Sequence, residues 1–214
     1  MQDNTKLGKR TLFWMKAAFI WALISAVLGL ILVLTNDVHA LMNAAPEAPV
    51  PTGAMVLIVA IAIGCLVFGI GAAVAGIFWL FWLFRTTKNL RKVTTTKFSP
   101  WAAVICTCIP YLGYLLGFII FRDLAKKQQC YLRSIGVDFP PVNMALVNGW
   151  FLLSVLSGVV QIFGDSTMIL GLSIAFALLG FYLFIQAFKP YIMQERMLFA
   201  RYEEDRIREF EAQQ

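Results

Sequence analysis

The chain has 214 residues, 60% hydrophobic and only 14% charged, with a mean hydropathy of +0.75. A water-soluble domain carries about a quarter charged residues, so this composition excludes a water-solvated fold and makes lipid the solvent. The net charge of +6 arrives without base-stacking aromatics or a nucleic-acid-reading module, which excludes nucleic acid and leaves basic loops of a membrane protein as the reading.

Residues 1–16 are polar and basic, with Lys6, Lys9, Arg10 and Lys16 against Asp3. The run from Ala17 to Leu34 is too long for the apolar region of a signal peptide and predicts a first, uncleaved span. A loop from Asn36 to Gly53 follows, free of Lys and Arg, with Pro46, Pro49 and Pro51 keeping it irregular. His39 in that loop is the only histidine, has no ligand cluster around it, and receives no role.

The second span, 54–84, is about 46 Å long as a helix against a hydrocarbon core of about 30 Å, so it must tilt or project. Ala60/Gly64, Gly69/Ala73 and Ala72/Gly76 are spaced by four and predict faces for close packing within the chain. Phe78-Trp79-Leu80-Phe81-Trp82 reads as an aromatic belt at the headgroups, and Arg85 as the water side. The loop 85–99 holds Arg85, Lys88, Arg91, Lys92 and Lys97 and no acid.

Residues 100–121 are apolar but broken at Pro110 and Gly113 into halves too short to cross. A polar stretch, 122–143, precedes two further spans, 145–163 and 168–188, whose four-residue connection forces an antiparallel hairpin. The tail 189–214 reads as a charged helix with Arg201/Asp205 and Glu204/Arg208 pairs. Tyr191, Ile192, Leu198, Phe199 and Tyr202 give it a partly apolar face, to lie against the protein or the membrane surface.

Basic residues number four in 1–16, five in 85–99, four in 122–143 and five in 189–214, the whole complement of eighteen. If 100–121 crosses, nine fall on each side and orientation is unspecified. If it returns, all are cytoplasmic, and the outer face carries only Asp37, Glu47 and Asp165. The expected fold is therefore all-α and polytopic, with four transmembrane helices plus a Pro/Gly-broken re-entrant helical hairpin, and with both termini cytoplasmic. Five transmembrane helices is the alternative.

Trp82-Leu83-Phe84-Arg85, Asn89-Leu90, Phe98-Ser99-Pro100-Trp101 and Ile109-Pro110 resemble a bacterial membrane family, domain of unknown function 4328. In that family an aromatic-x-x-Arg-x-x-x-Asn signature closes a span, and a Phe-Ser-Pro segment and a proline-containing apolar stretch follow. The likeness covers roughly residues 78–135. After Pro110 this chain has Tyr111-Leu112-Gly113-Tyr114 where the family pattern has a second proline and more tryptophan. The resemblance implies a bacterial inner-membrane protein and adds no catalytic residue.

No catalytic constellation is visible. Cys65, Cys106, Cys108 and Cys130 have neither histidine nor paired spacing for zinc, so no metal, cofactor or disulfide is expected. The expected role is a non-enzymatic membrane interaction or accessory module, with a membrane-protein partner or a second copy. A transporter or channel using the broken segment, with Cys106, Thr107 and freed carbonyls before Pro110 facing a cavity, is the alternative, and a lipid-acting enzyme has least support. As headgroup contacts or structural anchors the sequence offers Arg85, Lys88, Asn89, Arg91, Lys92, Ser99, Pro110 and Arg122. Arg85, Lys88, Arg91 and Lys92 would meet anionic phospholipid. Arg85 and Asn89, one turn apart, are expected to bond carbonyls near Ser99 or Pro110.

Overall fold

The computed structural model describes residues 1–34, 52–109, 112–163 and 166–213. Among them all regular structure is helical: α1 (Thr5–Leu34), α2 (Thr52–Leu90), α3 (Pro100–Cys108), α4 (Leu112–Ser134), α5 (Met144–Val160) with a 3-10 turn at Gln161–Phe163, and α6 (Thr167–Glu211). Four of these, α1, α2, α5 with its turn, and α6, are long and apolar enough to cross a membrane. Residues 36–51 of the expected loop, with His39, the proline at position 110 and Asp165 lie outside the described residues, while Thr52 and Gly53 already belong to α2.

Local chemistry sets the helix ends. The Ser99 hydroxyl accepts from the Ala102 amide at 3.1 Å, and Pro100 fills the first helical position, where its missing N–H costs nothing. Asn143 and Ser166 cap α5 and α6 in the same way. α4 stops at Gly136, whose φ of +68° lets the Val137 amide reach the Leu132 carbonyl and its own amide the Arg133 carbonyl. α6 does not stop at the membrane end of its apolar run. It continues through Pro190 as one helix of 45 residues, about 68 Å long, so the tail expected as a separate helix is its second half.

The helices pack in a register that named pairs fix. Along α1 and α2, Gln2 meets Asn89, Gly8 meets Trp82, Ala18 meets Gly71 and Ser25 meets Gly64. Along α1 and α6, Asn4 meets Glu195, Gly8 meets Ile192 and Phe19 meets Phe181. Along α5 and α6, Gly149 meets Leu183, Gly180 meets Leu153, and Ser157 meets Ser173. Of the paired small positions in α2, Gly64 admits α1 closely, and so does Gly71, which belongs to none of the pairs. Gly69 and Gly76, by contrast, have open space where a side chain would go.

The same register sets Lys16 level with residue 73 of α2 and residue 184 of α6. The largest fully buried side chains, among them Trp82, Tyr191, Phe121, Phe188, Leu124 and Gln128, all fall at or on the N-terminal side of that level. In the most apolar stretches of the four long helices, by contrast, only 6% to 22% of the residues are buried. The core is thus at one end of the bundle.

α4 is the element that fills this end. Phe121 packs at 5.4–6.5 Å between ring centroids against Phe184, Tyr191, Trp79, Phe188 and Trp150. α4 lies against α3 and the loop before it: the Lys97 amide donates to Asp123 at 3.0 Å and Lys127 bonds the Thr95 carbonyl, while Gly117 stands beside the Thr107 methyl of α3. Gly113 is required at the turn between them, because a Cβ there would run into the Thr107 carbonyl.

Trp82 departs from its sequence reading. It has no exposed surface, since Gly8, Phe188 and Tyr191 cover it, so it is a core residue and does not meet headgroups.

Candidate functional site

Two features of the fold hold chemistry. The first is a polar lock at the core end. Glu195 is 3% exposed, and no described cation pairs with it. Its Oε2 accepts from Trp82 Nε1 at 2.8 Å and its Oε1 from Asn4 Nδ2 at 2.7 Å. The same Asn4 amide reaches the Trp82 carbonyl at 3.3 Å, so three helices or their flanks meet at one carboxyl.

Glu195 lies past the apolar run of α6, outside the expected span. Burial pushes its carboxyl above the ordinary range, while the donors Asn4, Thr86 and Trp82 pull it back. One turn away, Tyr191 is raised by burial and by the charge of Glu195, and its hydroxyl lies 3.3 Å from the Thr86 hydroxyl. Asp3, at the surface, is held low by the Thr5 amide and hydroxyl.

Further polar ties surround this lock. Asn89 exchanges two bonds with the backbone of Gln2, at 3.0 and 2.8 Å. Gln128 donates to the Tyr191 carbonyl and Gln194 to the Pro140 carbonyl. Each fixes a different segment (the N-terminus, α4, the 135–143 connection) onto α2 or α6.

The second feature is a cavity of about 490 Å³ at the α3–α4 turn. It lies between Ala72, Ala75, Gly76 and Trp79 of α2, Met15 of α1, Trp150 of α5, and Phe181 and Phe184 of α6. Thr107, Cys108 and Ile109 form its floor with Gly113, Tyr114 and Gly117. The Thr107 hydroxyl is already spent on the Ala103 carbonyl, and Cys106 packs toward the core. A second cavity, of about 550 Å³, shares Tyr114, Trp150 and Phe181 with the first and continues along α5 as far as Ile162.

The sequence-derived anchors are divided by this geometry. Asn89 is buried and tied to Gln2, not to carbonyls near Ser99, because the 1–4 segment folds back over the end of α2. Arg85, Lys88, Arg91 and Lys92 are exposed; Arg85 makes no bond to a described residue, so the expected capping of the broken segment is replaced by the Ser99 cap itself. Lys92 lies 5.7 Å over the Tyr202 ring, and Arg122 lies 5.8 Å over Phe118. The position-110 proline lies outside the described residues. In the tail the Arg201–Asp205 pair is present at 3.5 Å, with Arg201–Glu204 and Arg206–Glu203 beside it.

Glu195, Asn4 and Gln2 were missed by the sequence reading. A signal existed for Glu195: it stands among Phe188, Tyr191, Ile192 and Leu198, at the spacing of the buried face of the helix. Among the described residues no cluster of three or more His, Cys, Asp or Glu side chains could hold a metal ion. No curated protein and no solved structure matches the chain. A family model does, over residues 43–177, and by that match the chain belongs to the family described as Domain of unknown function (DUF4328).

Proposed function

We propose that the protein is a non-catalytic, multi-pass module of the bacterial inner membrane that associates with another membrane component. One observation carries this reading. The side chains that build a core lie at one end, while the apolar halves of the four long helices bury little against each other. Those halves are 17–22 residues, about 26–33 Å, which matches a hydrocarbon core of about 30 Å. Their faces are therefore left to lipid and to partners, a membrane protein or a second copy.

In this reading both termini and the core end are cytoplasmic, because all eighteen Lys and Arg residues then lie inside. The α3–α4 hairpin enters from that side and returns. Its turn sits level with Lys16 and Ala72, so it dips only to the edge of the hydrocarbon. The exposed stripe Trp101, Ile105 and Ile109 along α3 suits that depth. Arg85, Lys88, Arg91 and Lys92, all exposed around it, attract anionic phospholipid, each by about 1 kcal/mol at low salt.

Transport of ions is disfavoured by chemistry. The cavity walls are largely apolar, and no Asp, Glu, Lys, Arg or His side chain lines them.

The test is photo-crosslinking in cells from probes at Ile63, Leu66 and Ile70, which are exposed on α2, with Phe13 as the off-face control. The reading expects a protein-sized adduct of discrete mass from at least one span position and none from the control. No protein-sized adduct from any exposed face of the four helices would overturn it.

A further inference from the structure

α4 carries an unpaired cation beside two unspent neutral donors. Tyr114, Phe118, Arg122 and Lys126 follow one another by four along α4 and form one ridge. The Arg122 side chain runs back toward the start of its helix, as helical side chains do, and its guanidinium stands 5.8 Å over the Phe118 ring. Arg122 is half-buried, and its Nε is covered without a hydrogen-bond partner. All three described ion pairs lie in the second half of α6, so no described carboxylate balances Arg122 or the exposed Lys126. The neighbouring Asp123 is turned to the Lys97 amide.

Trp150 stands beside the same Phe118 ring, 6.4 Å between centroids, and Tyr114 lies one turn deeper along α4. Neither the Trp150 indole N–H nor the exposed Tyr114 hydroxyl bonds a described residue. The hydroxyls of Thr107 and Ser154 around them are, by contrast, spent on carbonyls of their own helices.

The depth of the cation follows from the turn. With Tyr114 at the hydrocarbon edge, the level of Phe118 is four residues, about 6 Å, further toward the cytoplasm. A bilayer about 40–45 Å thick with a core of about 30 Å leaves about 5–7 Å of headgroup layer on each side. The guanidinium therefore sits in that layer, with neutral donors beside and below it.

That order matches a phospholipid, which carries its phosphate outermost and its ester carbonyls next. A planar guanidinium binds a phosphate through two N–H groups at once. A partner's carboxylate would satisfy Arg122 but leave Trp150 and Tyr114 unspent. Lys126 adds a second positive charge, which repels the ammonium of a zwitterionic headgroup.

We infer that Arg122, Trp150 and Tyr114 form a site for one anionic phospholipid of the cytoplasmic leaflet, with its phosphate on Arg122 and its ester carbonyls on the two neutral donors. The site rests on the bilayer placement proposed above. It goes beyond the diffuse attraction of the basic loop, because it fixes where one phosphate is held and by which groups.

The experiment titrates the full-length protein in detergent with phosphatidylglycerol and, separately, with phosphatidylethanolamine and inorganic phosphate. Bound lipid is counted by native mass spectrometry, and the unfolding midpoint is followed in parallel. The expected result is one phosphatidylglycerol per chain, held several-fold more tightly than phosphatidylethanolamine, and no midpoint shift from inorganic phosphate. Arg122→Gln should weaken that binding several-fold. Trp150→Phe and Tyr114→Phe keep the rings, remove only the donors, and should each weaken it a few-fold. Arg10→Gln, the same charge change on the exposed surface of α1, should leave it unchanged.

Equal losses from Arg122→Gln and Arg10→Gln would reduce the site to general charge attraction and overturn the assignment. So would a midpoint shift from inorganic phosphate as large as that from the lipid, or unchanged binding in both phenylalanine variants. Should Arg122→Gln not fold, those two variants decide alone. Loss of the α2 crosslink with lipid binding intact would remove the partner reading and leave this site standing. A crosslink without a bound phospholipid would do the reverse.

Discussion

Trp82 Nε1 and Glu195 Oε2 are 2.8 Å apart in a part of the core where neither side chain is more than 3% exposed. Asn4 aims its amide at the other carboxylate oxygen, so both lone-pair faces of one acid are claimed by neutral donors from other helices or their flanks. Trp82→Phe deletes only the indole N–H and keeps most of the ring packing. It should cost about 1–3 kcal/mol, the range for leaving a buried polar group unpaired, and lower the unfolding midpoint in detergent. Glu195→Gln should also destabilise, because an amide presents one acceptor to two donors. A Trp82→Phe midpoint equal to wild type would show that the bond contributes nothing.

The raised carboxyl of Glu195 makes stability depend on pH, with a definite sign. An acid whose pKa is higher folded than unfolded holds its proton more tightly in the fold. Its contribution therefore worsens as pH rises from the ordinary carboxylate range up to the folded value. The unfolding midpoint should rise as pH falls from 8 toward 5, and the rise should vanish in Glu195→Gln. Asp3, held low, loses its contribution only below the ordinary carboxylate range and stays out of that window. A wild-type profile parallel to that of the variant would count against the shift.

Arg85 and Asn89 lie one turn apart and behave oppositely. Asn89→Ala leaves the amide and carbonyl of Gln2 without partners, so the first residues should become open to limited proteolysis, with a loss of about 1 kcal/mol. Arg85→Ala should leave stability and proteolysis unchanged. Equal effects from the two substitutions would contradict this division.

Cys130 is exposed near the end of α4, and the ties of Lys97 to Asp123 and Thr95 to Lys127 hold α4 beside the loop that follows α2. With the other three cysteines replaced by serine, an impermeant thiol reagent should reach Cys130 only in inverted vesicles. A cysteine placed at Met168 in the same background should react only in intact cells. The reverse pattern, Cys130 reacting in intact cells and the cysteine at 168 only in inverted vesicles, would mean that the α3–α4 segment crosses the membrane.

Much of this fold can be read from apolar runs. The four long helices and the tight α5–α6 hairpin follow from length and composition, and the Ser-Pro step at 99–100 starts a helix by its own chemistry. What the sequence hides is register. Trp82 looks like a headgroup-facing aromatic until α4 and α6 are known to cover it. Asn89 finds its partner 87 residues away and Glu195 its partner 191 away, and no local pattern encodes either pairing. The depth of the hairpin turn is hidden for the same reason. It depends on Gly71 standing beside Ala18, which sets Lys16 against residue 73, and not on any property of residues 100–121.

The bond from Asn4 to Glu195 also has a meaning for biogenesis. A ribosome delivers Asn4 191 residues before Glu195, which emerges only after the apolar run of α6. Until then α1 waits in the translocon or the lipid with its polar head unmatched, and Trp82 waits with an idle indole N–H. Closing the lock is therefore a docking of an early-made segment onto a late-made one. Quality control that tests for an exposed segment before α1 would in effect be asking whether synthesis had passed the middle of α6.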